Sequence, residues 1–192
     1  MGIHWCLTPD DNTKDGNTNL TKVEENKDKI LYDVLKKGRG NIENIKKYLP
    51  SSTNYYSEKL VEYYNNYNYE EKAIQCLSSN DIIFFDPDNG LEIPSLKNKD
   101  KYKYVSYSLL KKFWEIGKTL IIYQHGDRIK NSLDEKVEII KMLFKNNANI
   151  ATIKKNNVNY ICIINGKPDS FCDRLGGFVN TDKNKGYNIK WN

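Results

Sequence analysis

Three short polar segments follow apolar runs in this sequence, and they hold the side chains best suited to chemistry. They are Thr8-Pro9-Asp10-Asp11, Asp86-Pro87-Asp88-Asn89-Gly90-Leu91-Glu92 and Tyr123-Gln124-His125-Gly126-Asp127-Arg128. In the second, Asp86, Asp88 and Glu92 are spaced so that their oxygens could hold a hard divalent cation such as Mg2+. The same carboxylates, with Asn89, could instead orient an exocyclic amine, and Pro87-Asp88-Asn89-Gly90 also has the composition of a plain tight turn. In the third segment His125, beside Gln124, is a candidate general base or ligand. Arg128 is one of three arginines in a lysine-dominated chain, which suits bidentate recognition of phosphate or carboxylate. His4, inside an apolar segment, is expected to pack.

These segments need a scaffold that brings them together, and the apolar runs before them supply one. Ile82-Ile83-Phe84-Phe85 and Thr119-Leu120-Ile121-Ile122-Tyr123 read as strands buried on both faces, and Gly2 to Leu7 as a shorter strand. Helical patterns are expected in the second half of 20–37, over 41–49 and over 61–77. Two more are expected from Ser106 to Ile116, capped by Ser106 or Ser108 and stopped by Gly117, and from Ser132 to about Asn146. A short strand is expected within 55–60. A hairpin is expected from 149–154 to 158–164, turning at Asn156-Asn157. The tyrosines at 55, 56, 63, 64, 67 and 69 read either as core or as a base-stacking platform. The polar segment 166–192 is expected to be a loosely structured extension of a single domain spanning 1–165.

Alternating strands and helices imply a three-layer α/β sandwich, its mostly parallel sheet closed by a C-terminal antiparallel hairpin strand. In an open sheet of this kind ligands bind beyond the carboxyl ends of the strands, the edge where all three polar segments are expected.

Composition narrows the classes further. The chain has 192 residues and a formal net charge of +5, with a pI near 8.8 and a mean hydropathy of −0.74. No apolar run approaches the roughly 18 residues of a membrane span, and no basic-then-apolar leader opens the chain. The four cysteines, at 6, 76, 162 and 172, form no CxxC pair. They read as reduced thiols of a cytoplasmic protein. The mild basicity admits a nucleic-acid partner without requiring one.

Taken together, Gly2-Ile3-His4-Trp5-Cys6-Leu7-Thr8-Pro9-Asp10-Asp11, Phe84-Phe85-Asp86-Pro87-Asp88-Asn89-Gly90-Leu91-Glu92, Lys103-Tyr104-Val105 and Ile122-Tyr123-Gln124-His125 resemble a family of bacterial and prophage proteins. That family carries W-x-LTPD, FFDPDNG and YQH blocks and has no assigned activity. More distantly, it is similar to Rossmann-like methyltransferases of the ribosomal-RNA adenine-N6 type, with Asp86-Pro87-Asp88-Asn89 standing where those enzymes have DPPY. The resemblance implies a Rossmann-like sheet whose last strand is antiparallel, S-adenosylmethionine as cofactor and a nucleic acid or nucleotide as substrate. It places Asp86, Asp88, Asn89, Gln124 and His125 at the reacting amine, Thr8, Asp10 and Asp11 at the cofactor, and Tyr123 and Arg128 at the substrate.

Two departures from that pattern stand out. The segment after the first strand has no glycine, and Asp88-Asn89 replaces proline and an aromatic ring. Two other classes therefore stay open. One is a Mg2+-dependent nuclease or phosphohydrolase built on the acidic segments, and the other is a non-catalytic binding module of phage-host conflict.

Overall fold

The apolar run after Asp81 lies at the centre of a seven-stranded sheet. In the computed structural model it forms β3 (Ile82–Phe85), which pairs in parallel with β1 (Gly2–His4) on one side and β6 (Thr119–His125) on the other. The structure describes residues 1–8, 45–47, 49–58, 68–94, 98–126, 132–166, 171–174, 177 and 188–192. The remaining strands are β2 (Asn54–Tyr56), β4 (Gly90–Leu91), β5 (Tyr104–Val105), β7 (Asn149–Lys155), β8 (Val158–Ile164) and β9 (Asn188–Trp191). The large sheet has the order β2-β1-β3-β6-β8-β7-β9, while β4 and β5 form a separate two-stranded parallel pair.

Direction follows from connection length. β1, β2, β3 and β6 run parallel, separated by segments long enough for crossovers. β7 and β8 are joined by the expected turn, with Asn156 at φ 54°, and form a hairpin. Its second strand is inserted next to β6, so antiparallel β8 separates the co-directional β6 and β7. The chain steps from β1 outward to β2, then back across β1 to β3. The order therefore reverses between β1 and β3.

Three described helices bury apolar stripes in one core: α1 (Tyr69–Leu77), α2 (Tyr107–Glu115) and α3 (Ser132–Leu143). Ala73, Leu77, Leu110, Phe113, Val137 and Ile140 pack there with Ile83, Phe85, Leu120, Ile122 and Ile161 from the sheet. Helix α2 starts where Ser106 Oγ accepts the Leu109 N–H at 3.1 Å and stops at Gly117, φ +82°. A second small cluster, Ala151, Ile153 and Cys162 against Phe171 and Ile189, forms from the alternate residues of the hairpin strands. The architecture is thus mixed α/β, the three helices packing on the main core and a further helical stretch, residues 171–174, placing Phe171 against the second cluster. The helix expected in the second half of 20–37 falls outside the described residues; of 41–49, residues 45–47 and 49 are described, with Ile45 and Lys46 helical.

Several boundaries differ from expectation. β6 extends through Gln124 and His125, two polar residues that the composition had placed in a loop. Helix α3 ends at Leu143 because Lys145 and Asn146 take left-handed conformations, φ 53° and 59°. The segment expected to trail after 166 instead contributes β9, paired to β7 from Ala151↔Trp191 to Lys154↔Asn188. The chain divides into two compact units, Met1–Pro9 with Asn54–Asn192, and Asp10–Thr53. β9 therefore belongs to the first unit's sheet and is no appendage.

His4 packs as expected. It is 1% exposed, with the rings of Tyr56, Phe85 and Tyr69 at 5.2, 5.3 and 5.7 Å. Its Nδ1 lies 3.1 Å from Cys6 Sγ and its Nε2 3.3 Å from the Tyr69 hydroxyl. Tyr56 and Tyr69 are therefore core rings; of the other tyrosines of the suggested platform, 63, 64 and 67 lie outside the described residues. Burial holds the His4 pKa down to about 3, from 6.5. The folded state thus binds fewer protons than the unfolded one, so the stability contributed by neutral His4 is present above pH 6.5 and lost as pH falls toward 3. His4→Phe is expected to keep the packing and lose about 2–3 kcal/mol less stability than the native chain between about pH 7 and 4.5. Urea unfolding of both proteins at the two pH values measures this, and parallel curves would refute it.

Candidate functional site

The strand order reverses between β1 and β3, with β2 on one side and β6 on the other, and such a reversal is where an open α/β sheet binds ligands beyond its strand ends. A cleft of about 360 Å³ occupies this position, lined by Cys6, Leu7 and Thr8 after β1, Asp86, Pro87 and Asp88 after β3, and Tyr123 of β6. The chain leaves β1 without a glycine. Cys6 N–H donates to the His4 carbonyl at 3.0 Å, closing a three-residue turn immediately beyond the strand. Asp86 N–H donates to the same carbonyl at 3.0 Å, which fixes the start of the second segment against the first.

Electrostatically the cleft is a crowded acidic corner. Burial, and then the charge of Asp88, pushes Asp86 up to about 6 from an ordinary 3.8. Burial and the Asp86 charge drive the Cys6 thiol well up, so it is a neutral wall group. Burial together with Asp86 and Asp88 also raises the Tyr123 phenol. Asp88 itself is about half exposed, with Lys103 Nζ at 3.9 Å.

The segment carrying the acids is held from behind by Gln124. This side chain is 1% exposed. Its Oε1 accepts the Leu91 N–H at 3.0 Å, and its Nε2 donates to the carbonyls of Asn89 at 3.1 Å and His125 at 2.9 Å. Gly90 stands at φ +114°, and a Cβ there would overlap the Gln124 amide. The far side of the segment is tied by the β4–β5 pair, where Asn89 N–H donates to Lys103 O at 2.9 Å and Glu92 N–H to Val105 O at 3.0 Å.

Three of the expected roles change accordingly. Gln124, expected at the reacting group, has its amide fully engaged within the protein and acts by positioning the segment. The Asn89 carbonyl accepts from both Gln124 Nε2 and His125 N–H, so it is taken up internally. Glu92 does not join Asp86 and Asp88 around a cation, because its Oε1 accepts the Tyr107 N–H at the start of α2, at 2.6 Å. Among the described residues no group of three or more His, Cys, Asp or Glu stands together as a metal site.

His125 lies on the strand, exposed, with Nδ1 3.3 Å from the Tyr123 hydroxyl. Thr8, Asp86, Asp88 and Tyr123 are brought together as expected, whereas Asp10, Asp11 and Arg128 lie outside the described residues. Sequence reasoning placed Cys6 and Leu7 inside the first strand and did not single them out as lining residues; β1 ends at His4, so both follow it and line the cleft. No described helix is long and apolar enough to cross a membrane. Comparison with family models, curated proteins and solved structures finds no match.

Gly90 and Gln124 should be energetically coupled, since each occupies the space the other would need. Gly90→Ala is expected to cost roughly 2–4 kcal/mol, combining the overlap with left-handed strain, and Gln124→Ala roughly 1–3 kcal/mol through unpaired backbone groups. The double variant should be less destabilised than the sum of the two. Denaturant unfolding of the four proteins gives the cycle, and strict additivity would show that the contact is unimportant.

Proposed function

We propose that the protein is a Rossmann-like, methyltransferase-like enzyme acting on an amino group of a nucleic acid or nucleotide. The observation that carries this reading is the position of Asp86-Pro87-Asp88, at the carboxyl end of a central parallel strand and directly beside the reversal of strand order. That is where an open α/β sheet binds ligands. The insertion of an antiparallel strand next to β6 supports it too, being the sheet feature the methyltransferase resemblance implies.

S-adenosylmethionine, when bound, supplies an electrophilic methyl group, and its sulfonium and ammonium charges suit the acidic lining of the cleft. Thr8 and Asp88 are the described residues that would hold it. The Cys6 N–H to His4 carbonyl bond closes a turn directly after β1, at the place where the methyltransferase resemblance implies a glycine-rich segment. Asp86 accepts an N–H hydrogen bond from the exocyclic amine, and its elevated pKa makes the carboxylate a stronger base toward the proton that the amine sheds. Tyr123 offers the ring that Asp88-Asn89 lacks, as a stacking surface for the base.

Isothermal titration of the native chain with S-adenosylmethionine is expected to show saturable binding, and methyl incorporation into RNA, DNA or free nucleotides to require Asp86. Absence of heat at millimolar cofactor with folded protein would overturn the reading.

Asp86 also leaves a stability signature. Its folded pKa lies above its unfolded value, so its contribution is full below pH 3.8 and lost as pH rises through about 6. Above that pH the ionised side chain opposes folding. Asp86→Asn is therefore expected to abolish methyl transfer while stabilising the protein at pH 8 by about 1–3 kcal/mol. Thermal unfolding of the two proteins at pH 8 and pH 4 measures it, with the difference vanishing at the lower pH.

A further inference from the structure

A second cleft, of about 440 Å³, shares no lining residue with the first. Its walls are Glu92, Ile93 and Pro94 after β4, Lys101 in the 3-10 turn Asn98–Lys103, Tyr107 at the start of α2 and Ile139 of α3. Three aliphatic side chains and a tyrosine face one another across it, so most of what a ligand would meet is apolar. Its described lining carries one charge of each sign. Glu92 is already bound to the Tyr107 N–H, at the positive end of a nine-residue helix. Lys101, by contrast, is exposed and has no carboxylate partner among the described residues. The Tyr107 hydroxyl is buried without a hydrogen-bond partner, and burial beside Glu92 pushes its pKa up to about 12, so the group remains a donor. Apolar walls with a few convergent polar groups characterise small-molecule sites.

We propose that this cleft is a second ligand site, for a small apolar organic anion. The hydrocarbon or aromatic body lies against Ile93, Pro94, Tyr107 and Ile139, and the anionic group pairs with Lys101. Methyltransferase activity is not required for this assignment.

Anilinonaphthalene sulfonate, an aromatic body with one anionic group, is the probe. Titrated into the native chain, it should show saturable fluorescence at one dye per chain. Lys101→Glu, a change at an exposed side chain, should weaken binding by about tenfold or more. Ile139→Glu should abolish it while circular dichroism stays native. Uncharged phenylnaphthylamine should bind the native chain about tenfold more weakly than the sulfonate and be unaffected by Lys101→Glu. Absence of saturable fluorescence overturns the proposal, as does binding that survives both substitutions. Equal affinity for the charged and uncharged dyes overturns the anionic part.

Discussion

The acidic corner of this protein depends on one buried primary amide. Gln124 sits in β6 just past the residues that pair with β3, and its amide supplies the acceptor for the Leu91 N–H and a second donor to the Asn89 carbonyl. A buried polar group is costly unless satisfied. Here each requirement meets another: the amide needs the loop backbone, the loop needs the amide, and Gly90 leaves the space for both. The Asp86 and Asp88 carboxylates thus project from a segment anchored on both sides, by Gln124 and by the β4–β5 pair. Such anchoring is what distinguishes a preorganised site from a mobile acidic loop.

The cleft is also where the fold tolerates internal opposition. Ionised Asp86 is disfavoured by its own burial and by Asp88, while Cys6 and Tyr123 are held neutral by the same surroundings. Clusters of groups with displaced ionisation are common at functional sites and unusual in plain turns. This weighs against reading Pro87-Asp88-Asn89-Gly90 as no more than a reverse turn. His4, close by in the chain, is perturbed in a purely structural setting, packed among three aromatic rings with both ring nitrogens contacted. Perturbation alone therefore does not mark a functional residue; what sets Asp86 apart from His4 is that it lines a cleft.

How much of this was legible in the sequence depended on whether one residue's environment could be inferred from its neighbours. Ile82–Phe85 was legible because a strand covered on both faces must be apolar at every position. Ser106 and Gly117 were legible because caps are local chemistry. Gln124 was not, since a polar residue after an apolar run reads as a strand end unless one knows which distant backbone groups it will satisfy. Glu92 was misread for a related reason: its spacing from Asp86 suggests shared ligation, but the β4–β5 pair delivers it to the first turn of α2. β9 was missed because Asn188-Ile189-Lys190-Trp191 lies at the edge of the sheet, where one face and one ladder are solvated and the apolar pattern is weak.

The position of β1 has a consequence for how the chain is made. Gly2–His4 is synthesised before both strands it pairs with, and it lies between them in the sheet, flanked by residues 54–56 and 82–85. A nascent chain therefore presents an apolar strand that cannot pair until β2, and then β3, have been made. The hairpin β7–β8, by contrast, closes locally. Non-local parallel pairing is slow because loop closure precedes any gain in contacts. Completion of the sheet consequently depends on this segment staying free of other partners until β2 and β3 have been made.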